Sequence, residues 1–397
     1  MEDRLITNNN NNLYGSFNYL STNLTNLNDV TYYYKFLILI GIFYILPSLE
    51  FVFFQSQDEN VICYYNNLCK KDLGVIPAFN SVISNIFYII YGLAFCIIVK
   101  KTFKVNHNGV TLDGLDNSPS LYYSLGITLI FEGLCSATYH ICPTKLNFQF
   151  DTTFMFIGAI LMFITLYQKR HTAPYPMKIY SFIAFAVFIN ILPLSGLSNG
   201  FDTIFWSFVF LILCYIMIFG SIYIYYGKEY DVEITSLKML WKNATKLTYK
   251  DMPKFTLIIA INSYTLGMYI YAAITKPNFT DWFLGVSIVN MLIYFLYYII
   301  MKIKHKEEIK PIFYIWLIID IVVITLSLIF FVKTSSNIFL TIEESNALNK
   351  PCVVFNYFDY HDIWHILSAT GLFIFINIVY FLDKNLDENM DQHIPIF

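Results

Sequence analysis

The sequence predicts an all-α fold, a polytopic membrane helical bundle of about ten transmembrane helices, and three observations carry the prediction. The chain of 397 residues is 57% hydrophobic and only 13% charged, whereas soluble domains carry about 25% charged residues. Its apolar residues gather into long runs near the length of about 20 residues that a helix needs to cross the hydrocarbon core. The runs are continuous, without the dyad alternation of barrel strands, and only helices or closed barrels satisfy backbone polar groups in lipid. Together these exclude a soluble enzyme.

Ten runs follow in order, at about 34–54, 79–99, 120–141, 149–168, 178–197, 203–226, 255–275, 282–301, 312–332 and 363–382. Residues 1–33 contain Asn8 to Asn12 and further Asn, Ser and Thr, and read as a disordered cytosolic tail. A transmembrane domain over 34–382 and a cytosolic tail over 383–397 complete the chain. No basic-apolar-small signal peptide precedes the first run, which is expected to serve as the targeting signal itself. Pro47 and Pro193 should kink or end their helices. The stretch from Gly227 to Lys254 could hold an interfacial helix with Leu240 and Trp241 toward lipid. The stretch from Lys333 to Tyr360 either lids whatever lies beneath it or merely connects. There is no internal repeat of the kind that builds inverted-repeat transporters.

Basic residues orient the bundle, because Lys and Arg collect in cytosolic loops. With the amino terminus inside, six lysines (Lys70, Lys71, Lys145, Lys276, Lys333 and Lys350) out of 25 basic residues fall outside. Both termini should therefore be cytosolic. Cys63, Cys69, Cys142 and Cys352 then lie in outer segments, where an oxidising compartment permits disulfides. The expected pairs are Cys63 with Cys69 and Cys142 with Cys352, with four free thiols as the alternative. Cys96, Cys135 and Cys214 lie within runs and read as packing residues. Asn278-Phe-Thr280 is an outward glycosylation sequon close to a run. Glu50, Glu132 and Asp320 lie in or beside the apolar runs and are expected to hydrogen-bond between helices.

The chemistry concentrates in five residues. Ser136 with His140, and His361 with His365, are spaced four apart at the ends of apolar runs, and Asp151 opens another. Residues at i and i+4 share a helix face, so both pairs can address one point. All five fall on the same side once ten runs are threaded. Neutral imidazoles are preferred zinc ligands, and three protein ligands leave a fourth position open, as in catalytic sites. His140, His361 and His365 are the candidate ligands of Zn2+. Asp151 would take a proton from water, and Ser136 would hydrogen-bond the water or a developing oxyanion. The same residues also suit a purely structural staple, with Asp151 and Ser136 outside or closing the ligand set. Asp359 and Asp362 flank the second pair and either orient its imidazoles or sit in solvent. His107, His171, His305 and His393 read as solvated.

At these residues a resemblance emerges. Cys63-Tyr-Tyr-Asn66, Ser120-Leu-Tyr-Tyr-Ser-Leu-Gly126, Cys135-Ser-Ala-Thr-Tyr-His-Ile-Cys-Pro143, Asn147-Phe-Gln-Phe-Asp-Thr-Thr153 and Phe358-Asp-Tyr-His-Asp-Ile-Trp-His365 closely resemble the systemic RNA interference defective (SID) transmembrane family, over about residues 34–397. The resemblance implies transport or uptake of double-stranded RNA across plasma or lysosomal membranes, with cholesterol association in some members and a homodimer. Animal members carry a large external β-rich amino-terminal region where this sequence has its polar tail. The spacing of the five residues also looks like that of alkaline ceramidases and adiponectin-receptor-like proteins, which implies a zinc-dependent lipid amide hydrolase acting on ceramide or a related membrane lipid. A sterol- or lipid-binding scaffold is a third possibility. The six outer lysines face a larger number of outer carboxylates, among them Asp72, Asp281, Glu343 and Glu344, so the outer face is expected to repel RNA.

Overall fold

A computed structural model describes residues 33–54, 61–103, 119–170, 176–191, 203–226, 252–275, 277–333 and 335–383. The expectations for the amino-terminal tail up to residue 32, Pro193, the 227–251 part of the inner connection with Leu240 and Trp241, nearly all of the carboxy-terminal tail, and His107, His171 and His393 lie outside these residues. Among the described residues the structure is helical, with two isolated β-bridges and no strand. The helices are α1 (Tyr33–Phe53), α2 (Phe79–Ser84), α3 (Ile86–Thr102), α4 (Ser120–Tyr139), α5 (Phe148–Gln168), α6 (Pro176–Ile191), α7 (Thr203–Tyr226), α8 (Met252–Thr275), α9 (Phe279–Lys304), α10 (Pro311–Phe331), α11 (Ile342–Ala347) and α12 (Tyr360–Phe381). Each of the ten sequence runs coincides with a helix. Seven segments of the described residues are long and apolar enough to cross a membrane, so a polytopic bundle is established while the count of ten is not.

α4 is the central helix, packed against α1, α3 and α5, and its buried residues point in every direction. Glycines bring α3 and α4 together. A Cβ on Gly126 would lie 2.5 Å from Cys96 Sγ, and one on Gly92 would lie 2.5 Å from the Gly126 carbonyl oxygen. Without a hydrophobic driving force between helices in lipid, close backbone approach of this kind is what holds them. α12 packs on the other side of α3 and carries α10 on its outer flank, while α5 continues the bundle toward α6 and α9.

The second run is broken between α2 and α3, where the Asn85 amide group donates to the Ser81 carbonyl at 3.0 Å. α1 runs through Pro47 without ending. Asn278 accepts a hydrogen bond from the Thr280 amide as the cap of α9, and Thr280 is buried, so the sequon is spent on helix initiation. Cys96, Cys135 and Cys214 are unpaired, as expected.

The cysteine pairing differs from the sequence expectation. The bonds are Cys63 with Cys142 and Cys69 with Cys352. The 61–78 loop lies between the α4–α5 connection and the long 335–359 loop, and each of its cysteines reaches a different neighbour. Tyr64 N donates to the Pro143 carbonyl at 2.9 Å and Tyr65 Oη to the Ile141 carbonyl at 2.7 Å. Burial, reinforced by Asp72, pushes the Tyr65 hydroxyl up to about 12, which keeps it a donor. On the other side Asn66 Nδ2 donates to the Lys350 carbonyl and to Asp359 Oδ2, each at 2.9 Å. Such a strap leaves Cys63 and Cys69 no need of each other.

At the opposite end, charges expected in loops are buried. Arg170 after α5 grips Glu307 with both terminal nitrogens, at 2.8 and 2.5 Å, and reaches Asp383 after α12 at 2.9 Å. Lys302 of α9 donates to the same two carboxylates at 2.7 Å, and Tyr298 donates to Asp383. Burial by itself would raise the Asp383 carboxyl, but Arg170, Lys169 and Lys302 hold it well below the usual carboxylate range.

Candidate metal centre

Two helices deliver the histidines. His140 is the C-cap of α4, and His361 and His365 lie on the first turns of α12, whose start is fixed by a capping box. Asp359 Oδ1 accepts from the amides of His361 and Asp362, and Asp362 Oδ2 accepts from the Asp359 amide. Asp151 sits in the first turn of α5, and Ser136 lies one turn before His140. Ser136, His140, Asp151 and His365 are buried, while His361 is half-buried.

The three imidazoles converge, with one nitrogen from each lying within 4.8 Å of the others. Tetrahedral ligands at 2.0–2.1 Å from zinc stand about 3.3 Å apart, so side-chain rotations that close at most about 1.5 Å would complete the set. His140 Nε2 lies 3.9 Å from Asp151 Oδ1, too far for a hydrogen bond. It is close to the separation of two ligands on one ion. The Ser136 hydroxyl faces the Asp151 carboxylate as a hydrogen-bond donor.

The proton ledger at His365 points the same way. The Ser84 hydroxyl has one proton and donates it to the Ser81 carbonyl at 2.7 Å, so its contact with His365 Nδ1 at 2.8 Å must be accepted from the ring. His365 therefore carries its proton on Nδ1 and leaves a lone pair on Nε2. That Nε2, like His140 Nε2, is buried with no hydrogen-bond partner among the described residues. Two orphaned ring nitrogens in one buried spot would each cost about 1–3 kcal/mol if left unsatisfied, and the free lone pair of His365 Nε2 calls for an electrophile. The donor set thus fits a divalent, imidazole-seeking ion such as Zn2+.

The structure brings all five sequence-selected residues together. Asp359 and Asp362 neither touch the imidazoles nor sit in solvent: they are buried, capping α12 and receiving Asn66 and Asn80 respectively. His305 is exposed, as expected of a loop histidine. Sequence reasoning missed Ser84 and Asn80. The signal was present, since Asn80, Ser84 and Tyr88 form a third row spaced four apart at the start of an apolar run. Tyr88 and Trp364 add aromatic walls, with the Trp364 ring 4.9 Å from the rings of both His361 and His365. Glu132 and Asp320 are buried; Glu132 of α4 reaches the Met155 backbone of α5, as expected of an interhelical partner, and each carboxylate keeps one oxygen without a partner among the described residues.

A helical membrane bundle that presents a buried three-imidazole cluster, with a carboxylate and a hydroxyl beside it, defines a polytopic membrane protein with a candidate metal centre. The chain belongs to the family described as the dsRNA-gated channel SID-1, whose family-wide pattern it matches over residues 1–397. It is 32% identical over 389 residues to SID1 transmembrane family member 1 of Rattus norvegicus, covering 92% of this chain and 47% of that relative. The Homo sapiens protein of the same name gives 32% over 388 residues, 92% of this chain and 46% of the relative. Cholesterol uptake protein 1 of Caenorhabditis elegans is 28% identical over 386 residues, 91% of this chain and 50% of that protein. The chain spans about half the length of these curated relatives.

Proposed function

We propose that the protein serves the passage of nucleic acid across a plasma or lysosomal membrane and carries a zinc centre held by His140, His361 and His365. Membership of a family described as a double-stranded-RNA-gated channel supports the first part. The convergence of three imidazoles with two orphaned nitrogens supports the second, and is the observation that carries it. When bound, zinc would polarise a carbonyl oxygen and bring the acidity of water toward neutrality. Around it the chain's own groups have separate tasks. Asp151 accepts a proton, Ser136 holds the Asp151 carboxylate in place with its one hydroxyl proton, and Ser84 fixes the His365 tautomer.

A second reading, a zinc-dependent amide hydrolase acting on ceramide-like lipid, draws on the Ser136–Asp151 pair, which a bare staple would not need. A sterol is a further lipid partner, suggested by the name of the nematode relative. One paired experiment separates the readings: uptake of labelled double-stranded RNA and release of fatty acid from ceramide, each with His365→Ala and Asp151→Ala, alongside metal analysis of the purified protein. Transport through the zinc centre predicts RNA uptake in the wild type that falls in His365→Ala. Lipid cleavage lost in both variants, with no RNA uptake in any form, would replace the first reading by the second.

A further inference from the structure

Two tight turns at the disulfide-bonded end push apolar side chains outward. In the 73–76 turn Leu73 and Ile76 exchange backbone hydrogen bonds at 3.0 and 3.1 Å, Gly74 takes a left-handed φ of 59°, and Val75 at the tip is 95% exposed. In the 354–357 turn Tyr357 N donates to the Val354 carbonyl at 3.0 Å, and Phe355 and Asn356 adopt φ of 54° and 52°. Both central residues of this turn are left-handed, the geometry that Asn-Gly fills without strain. Phe355 occupies the first of these positions and is 90% exposed. A left-handed non-glycine residue costs roughly 1–2 kcal/mol, and a phenylalanine held there with its ring in the open does not recover that cost by packing in the bundle.

We infer that these tips form a membrane-surface contact, seating Val75 and Phe355 in the boundary between phospholipid headgroups and acyl chains at the site end of the bundle. Reach is the first argument. Val75 precedes the start of α2 by four residues and Phe355 precedes α12 by five, so even a fully extended connection places them within roughly 13–18 Å of a helix start. The headgroup layers add about 5–7 Å on each side of the hydrocarbon core, so a tip that folds back lies within the interface. The second argument is the company the tips keep. Leu68 and Leu73 are exposed on the same loop as Val75, and Val353 beside Phe355. Lys333 and Lys350 lie over the ring of Tyr360 at 5.2 and 5.5 Å, the aromatic-and-basic composition of a membrane boundary. On the first loop Lys70 pairs with Asp72 at 3.5 Å and lies over the Tyr65 ring at 4.6 Å, a second basic and aromatic pair beside the tip. The third is rigidity. The Cys69–Cys352 bond joins the two loops, so the tips act together rather than as loose ends.

The test uses the full chain in nanodiscs of phosphatidylcholine and phosphatidylserine, with Phe355→Trp and Val75→Trp and the emission of the wild type subtracted. The added emission is expected to be quenched more strongly by lipids brominated near the glycerol than by lipids brominated near the chain end. Emission untouched by either lipid but quenched by aqueous acrylamide puts the tips in water and overturns the inference. Emission untouched by all three puts them under protein, a second copy or a partner, and overturns it equally. Phe355→Gly supplies an independent reading, because glycine relieves the left-handed backbone. Its thermal midpoint in detergent should hold or rise, and a fall would show that Phe355 serves packing instead.

Discussion

At the scale of single residues, the hydroxyl of Ser84 decides which nitrogen of His365 is free. Replacing it by alanine removes the acceptor for Nδ1–H and lets the ring choose the wrong tautomer, so Ser84→Ala is expected to weaken zinc binding about 10–100-fold, the usual effect of losing a partner behind a ligand. Competition with a fluorescent chelator measures this, and unchanged affinity would remove Ser84 from the site. The histidines themselves were legible because a spacing of four on an apolar run is a local pattern that needs no knowledge of the fold. Ser84 shares a row spaced four apart with Asn80 and Tyr88, but its meeting with His365 spans 281 residues and the row alone does not name the partner. The carboxylates of Asp359 and Asp362 carry a different lesson. Proximity in sequence to two ligands suggested a role at the imidazoles, while their reach was already taken by the amides at the start of α12.

At the scale of elements, the position and type of each long helix follow from the apolar runs alone, since lipid leaves the backbone few other choices. Which helix touches which does not follow, because apolar faces in lipid are interchangeable. The seam between α3 and α4 is set instead by where side chains are missing. Gly126→Leu forces a side chain into Cys96 and the α3 backbone, and overpacking of this kind costs about 1–3 kcal/mol. Its thermal midpoint in detergent should fall well below that of the wild type. A midpoint equal to the wild type's would mean that α3 and α4 are not in close contact there. The disulfides show the same division. Four cysteines at one end were readable from the threading, but their partners depend on how the 61–78 strap lies between two other loops, and spacing does not encode that.

At the scale of the whole molecule, the helices that carry His365 and Asp151 are fastened twice, by the strap and caps at one end and by Asp383, Arg170, Lys302 and Glu307 at the other. Counting loop charges placed Arg170 and Lys302 in solvated loops and so missed this second fastening, because nothing in the sequence distinguishes a solvated arginine from a buried one. Asp383→Asn should destabilise the protein at neutral pH by about 3–5 kcal/mol, since Arg170 and Lys302 would be left buried with too little negative charge. The sign of its pH dependence follows from the lowered carboxyl. Its contribution is complete above the unfolded carboxylate value near pH 4 and is lost only as acid titrates the folded group below that. Wild type and variant melting curves should therefore differ at pH 7 and approach each other only in strong acid. A constant gap would place the effect elsewhere. The Cys69–Cys352 link also dictates a schedule for biogenesis. It closes a span of 283 residues, so its second sulfur emerges from the ribosome only after nearly the whole chain has been threaded. Two of the three imidazoles emerge later still. A molecule arrested before Cys352 would keep a reactive thiol at Cys69 and a solitary His140, which makes thiol labelling at that position a marker of unfinished copies.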